Sequence, residues 1–298
     1  MPAPILVTGY SRPDLFGNLL NQISGLGVNK YIFVDGVATE AEQEKKDLNN
    51  KCREIAFEFS EKNPNTHCFL PESNLGLSRG VTSAIDWAFS KEESLIILED
   101  DLKLHRDALK VGSHFLDYYK DVKEIGSISL YRPTVLDNSA ASRGRELYSP
   151  FSTSWGWATW SNRWEKFRRE VFTENSAIRA REFFRIGGLA GLARWSGVVN
   201  ALKRGELDSW AYPWMFTHFF EHWVTVVPKI NLIENLGFGE LASHTKIGAS
   251  NMLSNQEYLF ENLAPISLTK SAEKEILLTS YGVFPYINRV KNRLIGSE

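Results

Sequence analysis

The stretch Ser94-Leu-Ile-Ile-Leu-Glu-Asp-Asp-Leu102 runs four apolar residues straight into three carboxylates, Glu99, Asp100 and Asp101. Carboxylates are rarely buried without partners, and three together repel one another. A divalent cation is the simplest compensation, and an all-oxygen donor set suits Mg²⁺, Mn²⁺ or Ca²⁺ rather than Zn²⁺. The plainer alternative is a solvated acidic loop after a core strand. A second apolar run, Tyr31-Ile-Phe-Val-Asp-Gly36, also ends in a carboxylate, Asp35, and the first run ends at Thr8, just before a turn that carries Arg12. A strand-end carboxylate can accept a base N–H, and an arginine can meet phosphate or stack on a base. Equally, Asp35 can cap the next segment and Arg12 can lie on the surface.

Four further features carry candidate chemistry. Asn74-Leu-Gly-Leu-Ser78 precedes Arg79, which could reach an anionic ligand; the turn lacks the P-loop pattern. Asp208, between Leu207 and Ser209-Trp210, is either a helix N-cap or a general base. His244 sits in the Gly-rich loop 235–244, where an imidazole could complete a metal site or contact phosphate, or be a surface histidine. Trp155, Trp157 and Trp160 crowd one short segment, and Trp155, Trp157 and Trp210 are candidates to wall an acceptor cleft, with core packing as the alternative.

The elements that must position these residues follow from periodicity. A short unbroken apolar run predicts a strand buried on both faces, as in a parallel sheet, and ligands bind at the carboxyl ends of such strands. Strands are expected at 4–8, 31–36, 66–70, 94–99 and 127–130. Between them, helices are expected from Pro13 (apolar Leu15, Phe16, Leu19, Leu20 and Ile23, with Ser11 as cap), at 39–60 and at 79–89. Alternation of this kind predicts a doubly wound α/β domain over the first 130 residues. Beyond it the alternation stops. A polar loop is expected over 134–148, helices over 161–169, 176–205 (broken at Gly187-Gly188) and 208–220, and a strand at 225–228.

The chain has 298 residues, a net charge of −2 and nine tryptophans. Neither a global basic field nor a basic motif points to nucleic acid. Cys52 and Cys68 have no metal-type spacing and suggest a reducing compartment. The sequence shows no signal peptide and no apolar run of transmembrane length.

In order, Asp35, the Asn74–Ser78 turn, Glu99-Asp100-Asp101, Trp155-Gly-Trp157, Asp208-Ser-Trp210 and Gly237-Phe-Gly-Glu-Leu-Ala-Ser-His-Thr245 resemble a glycosyltransferase of the GT-A fold. The set is similar to bacterial family-2-like sugar transferases of surface polysaccharide clusters, labelled hemolytic protein HlpA-like. It is more distantly similar to N-acetylglucosaminyltransferase I. The resemblance covers about residues 4–250. It implies an α/β nucleotide-diphospho-sugar transferase fold: residues 1–130 as the nucleotide-sugar-binding half, 131–255 as the acceptor-binding and catalytic half, and 256–298 as a helical tail. It also implies an inverting transfer from a nucleotide sugar, with Mn²⁺ (or Mg²⁺), to a glycan or lipid-linked glycan, the donor being a UDP-sugar such as UDP-GlcNAc.

Carried over by position, Asp101 is the metal ligand, with His244 beside it. Glu99 and Asp100 hold donor sugar and ribose, and Asp35 and Arg12 hold the base, with Thr8 and Arg79 completing the donor site. Asp208 is the general base; Glu206 and Glu240 compete for that role. The eukaryotic enzymes read Asp-Asp-Trp where this chain reads Asp208-Ser-Trp210, and carry a membrane-anchored stem not seen here, so no Golgi role is implied. A cytoplasmic location is expected, with the basic–apolar span Tyr286–Ile295 a candidate for peripheral contact with the inner face of the membrane. A nucleotidyltransferase of similar fold and a non-catalytic carbohydrate-binding protein remain rival readings.

Overall fold

The computed structural model describes residues 2–133, 136, 144–168, 171–237 and 253–260. Four strands, β1 (Ile5–Gly9), β2 (Lys30–Val34), β3 (Thr66–Phe69) and β4 (Ser94–Glu99), pair in parallel in the order β3-β2-β1-β4. Helices α1 (Pro13–Gln22), α2 (Gln43–Lys62) and α3 (Leu77–Phe89) connect them. Alternation within the apolar runs decides which residues face which layer. Ile5, Val7, Ile96 and Leu98 pack with residues of α1, α2 and α4 (Ala108–Tyr119). Leu6, Leu95 and Ile97 face the other way, into α3 and a group of tryptophans. Burial on both faces is why these strands read as unbroken apolar runs.

The sheet continues beyond β4 in a different style. Strand β8 (Trp157–Trp160) pairs antiparallel with β4 and with β6 (Ile125–Ser129). Beyond β6 lie β9 (Val224–Val227), parallel to it, and β7 (Leu147–Ser149), antiparallel to β9 at the edge. The eight-stranded order is β3-β2-β1-β4-β8-β6-β9-β7. A separate two-stranded sheet joins β5 (Leu102–Leu104) to β10 (Ile233–Asn235). After the short α5 (Ser161–Trp164), the long α6 (Ser176–Lys203) and α7 (Ala211–Glu221) cover this half, where Phe183, Trp195, Val198, Phe216 and Phe219 form a further core. The expected α/β class, with a large central sheet parallel in its first half and helices on both faces, is what the chain adopts.

Several local expectations change. Ser11 does not cap α1; Arg12 occupies the cap position and no side chain closes it. Helix α2 begins at Gln43 rather than at residue 39. Strand β7 falls at the end of the segment expected to be loop, and β5 and β10 were not expected. Among the described residues, no helix is long and apolar enough to cross a membrane. The tail 284–298 lies outside them.

Candidate functional site

Parallel pairing brings the carboxyl ends of β1, β2 and β4 side by side: Thr8 is level with both Phe33 and Glu99. The chain leaving β1 turns over the end of β4, so that the Tyr10 amide donates to Asp100 Oδ2 at 3.4 Å. Two residues on, the Arg12 guanidinium reaches back to the same place. Its Nη2 pairs with Asp100 Oδ1 and its Nη1 with Asp101 Oδ2 at 2.9 Å. Asp100 and Asp101 are both buried, while Arg12 is about 36% exposed, so the ion pair closes the floor of an open site.

Arg12 offsets only part of the negative charge. Asp101 Oδ1 is buried with no hydrogen-bond partner among the described residues. Burial, then the charges of Asp101 and Asp100, push the Glu99 carboxyl up to about 8 against the pull of Arg12. Burial likewise pushes Asp100 up to about 6, with Arg12 opposing it. A group held so far from its ordinary value by desolvation and neighbouring charge marks a place where a cation would be welcome. Thr8 is buried, and its hydroxyl donates to the Leu98 carbonyl at 3.4 Å.

The segment after β10 crosses this floor. The Leu236 amide donates to the Asp101 carbonyl at 2.8 Å, and the Gly237 amide to Asn235 Oδ1 at 2.7 Å. A β-carbon at 237 would run into Asp101 Oδ2 and stand 2.9 Å from Arg12 Nη1, so a larger residue there would push on the Arg12–Asp101 pair. The loop that follows, with Glu240 and His244, lies outside the described residues. Gly237 is a site residue that the sequence marked only as part of a Gly-rich loop.

Asp35 is used differently from Asp101. Its Oδ1 accepts from the amides of Gly36 (2.8 Å) and Leu75 (3.0 Å). Its Oδ2 accepts from the Gly76 amide (3.1 Å) and Asn74 Nδ2 (3.2 Å). Burial raises its pKa, and the amides of Leu75, Gly36 and Gly76 work against the shift. Asp35 therefore pins the 74–76 turn that opens α3, which is the capping alternative, and its oxygens are taken before any base could arrive.

Asp208 lies at the other end of that turn. It does not cap its own helix, since Trp210 occupies the cap position of α7. Both carboxylate oxygens instead accept from the Ser78 amide, at 3.3 Å each, in the first turn of α3. This residue of the aromatic half is thus delivered to the parallel half. Asp208 is exposed, so its neighbours Leu207 and Trp210 do not shield it from solvent. It divides two depressions. One, of about 250 Å³, is lined by Leu75, Ser78, Arg79, Thr82 and Phe167; the other, of about 160 Å³, includes Leu202, Leu207 and Pro213. Arg79 is exposed at the rim. Glu206 is held by Arg204 through two hydrogen bonds of 2.6 and 2.7 Å.

The tryptophans correct the acceptor-cleft expectation. Trp157 is 1% and Trp210 3% exposed, and their rings stack with centroids 5.5 Å apart. Trp164 and Trp214 complete the cluster. Rings buried in this way cannot offer a face to a sugar. Trp155 alone of the three candidates stays half-buried, edge-on to Tyr131 at 4.9 Å. Phe167, missed in the sequence, lines the larger depression and stacks on Trp164 at 4.4 Å.

No protein-family model matches the chain, and no curated protein sequence matches it either. Among solved structures it is similar to the mannosyltransferase PcManGT from Pyrobaculum calidifontis, in complex with GDP-Man and Mn²⁺. The identity is 13%, with 74% of this chain and 70% of that chain covered and a TM-score of 0.39.

Proposed function

We propose that the chain is a glycosyltransferase that uses a nucleotide-diphosphate sugar and a divalent cation, Mn²⁺ or Mg²⁺. The observation that carries this reading is the buried Oδ1 of Asp101, without a partner among the described residues, beside Asp100 and Glu99 at the carboxyl ends of the central strands. Among the described residues no three His, Cys, Asp or Glu side chains converge into a closed metal cage. An Mg²⁺-like ion does not need one; it is commonly held by one or two carboxylates, with water and substrate phosphates supplying the rest. Asp101 fits as the protein ligand and Asp100 as its neighbour. Once bound, such an ion neutralises the charge that develops on a departing diphosphate.

The chain's own residues supply the remaining roles. Arg12, already at the carboxylates, is placed to turn its guanidinium to a phosphate. Glu99, level with Thr8 at the strand ends, is placed to hydrogen-bond a donor hydroxyl. Asp35 acts at one remove, fixing the turn that presents Ser78 and Arg79. Asp208 is the general base. The Ser78 amide orients its carboxylate, and it takes the proton of an acceptor hydroxyl as that oxygen bonds to the anomeric carbon. The bond from that carbon to the diphosphate oxygen breaks on the opposite face, which inverts the configuration. The acceptor lies in the depression lined by Phe167 and Arg79, with Trp155 the remaining tryptophan candidate. His244 is proposed to close over the phosphates. A GlcNAc-type donor and a role in bacterial surface polysaccharide synthesis follow the resemblance.

Calorimetry with UDP and GDP, with and without Mn²⁺, tests the donor site. Affinity should require the metal and be lost in EDTA. Equal affinity with and without metal removes the cation from the proposal. Asp208→Asn separates the two halves of the site: nucleotide affinity should stay near wild type while turnover falls by roughly 10²-fold or more. Normal turnover in Asp208→Asn would transfer the role of base to another residue, such as Glu240.

A further inference from the structure

Helix α6 carries a feature that the transfer reaction does not use. At Gly187-Gly188 its backbone leaves helical geometry, with Gly188 at φ 60° and ψ −148°. The bend is sharp. A β-carbon at Gly191 would stand 2.7 Å from the carbonyl oxygen of Phe183, a residue eight positions earlier that a straight helix would hold about 12 Å away. The outside of this elbow is apolar. Leu189 is 77% exposed and Phe184 53%, with Ile178 (42%) further along the same helix. Their inward neighbours Phe183 and Trp195 are fully buried, so the helix is anchored in the core while its elbow points to solvent.

The charge around the elbow is one-sided. Residues 176–203 contain Arg179, Arg181, Arg185, Arg194 and Lys203 against a single acid, Glu182. Glu182 is buried and spent on Arg181, Arg185 and His222. The segment is therefore cationic in a chain whose net charge is −2. Exposed Phe and Leu amid arginines match the two requirements of a bilayer interface: an apolar insertion into the acyl boundary and attraction to anionic headgroups. A protein partner covering so basic a face would need its own acidic complement, and a second copy of this face would repel it.

We propose that the α6 elbow, through Phe184 and Leu189 with the surrounding arginines, docks the protein on an anionic lipid surface. The far end of the same helix reaches the smaller depression, where Leu202 lies beside Asp208, the residue that also borders the candidate acceptor depression. Docking at the elbow thus sets the distance between the lipid surface and that depression. The inference stands on exposure and charge and does not depend on the transferase reading.

Co-sedimentation of the full chain with vesicles tests it. Binding is expected to vesicles containing phosphatidylglycerol, to be weak on phosphatidylcholine alone, and to fall in 0.5 M salt. The double variant Phe184→Ser, Leu189→Ser should lower partitioning by roughly tenfold or more, with an unchanged melting temperature and unchanged nucleotide affinity. Four outcomes overturn the proposal. One is equal sedimentation with both lipids. Another is full binding by a folded double variant. The third is binding lost only when residues 284–298 are removed, which assigns the contact to the tail. A dimer in sedimentation velocity that the double variant dissolves, without vesicle binding, gives the face to a second copy instead.

Discussion

Two buried ionisable groups, His218 in one half of the central sheet and Asp101 in the other, are treated in opposite ways. In the half built on β6 and β9, His218 is fully buried in a closed chain. Its Nδ1 donates to the Trp214 carbonyl at 3.1 Å, Nε2 accepts from the Ser127 hydroxyl at 2.9 Å, and Ser127 in turn meets Thr225 at 2.9 Å. In the half built on β1, β2 and β4, Asp35 is similarly surrounded by donors, but Asp101, one strand end away from the β1 turn, keeps an oxygen that no described residue satisfies. Closed chains of this kind rigidify a core. A buried acceptor left open costs stability and persists where a ligand recovers the loss. On the proposed function, the contrast sets a structural polar group apart from a ligand-binding one.

The largest effect should come from the open end. Asp101→Ala should weaken metal-supported nucleoside-diphosphate binding by roughly a hundredfold, about 2.7 kcal/mol, while leaving the melting temperature near wild type. Calorimetry and a thermal melt on the same sample check both. A large loss of stability with binding intact would make Asp101 another structural carboxylate and erase the distinction.

His218 offers the reverse case. Burial lowers its pKa to about 4 from 6.5. A histidine kept neutral in the fold but able to charge when unfolded contributes stability that is present above pH 6.5 and lost as pH falls to 4. The full swing from this residue should be roughly 3 kcal/mol. Urea melts across that window should slope less steeply in His218→Gln. An unchanged slope would mean that the closed chain opens to water.

A smaller change is expected at the satisfied carboxylate. Asp35→Ala should destabilise by roughly 1–3 kcal/mol through the stranded amides of Leu75 and Gly76. It should weaken nucleotide affinity only as the 74–76 turn loosens. Hydrogen exchange at Leu75 and Gly76 reads this directly. Loss of affinity with those amides still protected would return Asp35 to the ligand. The smallest effect belongs to exposed Asp208: its replacement by Asn should cost no more than about 1 kcal/mol of stability as a helix-end contact, whatever it does to turnover.

The parallel half was legible because its strands are buried on both faces and its helices begin at Pro13 and after Gly76; the apolar runs leave little alternative. The Gly187-Gly188 break was legible for the same local reason. Strands β5, β7 and β10 were not, since three residues carry no period. The site was readable as a set of residue types but not as a division of labour. Whether Asp35 is spent or free depends on amides at 75 and 76, and the setting of Asp208 depends on Ser78, 130 positions away in the chain. Trp157 and Trp210 look the same in sequence whether they line a cleft or stack in a core; only the position of β8 beside β4 decides it.

That position has a consequence for how the protein is made. β4 is completed by β8, whose residues leave the ribosome some sixty positions later: Ile97 pairs with Trp157 and Ser94 with Trp160. Until then the four parallel strands end in an open edge of Leu95, Ile96, Ile97 and Leu98, apolar on both faces and unpaired along one side. Such an edge invites pairing with another nascent chain. The first 130 residues therefore form a half that must wait for its neighbour, and a fragment ending there would be expected to aggregate rather than fold. The tryptophan strand is the closure on which solubility during synthesis depends.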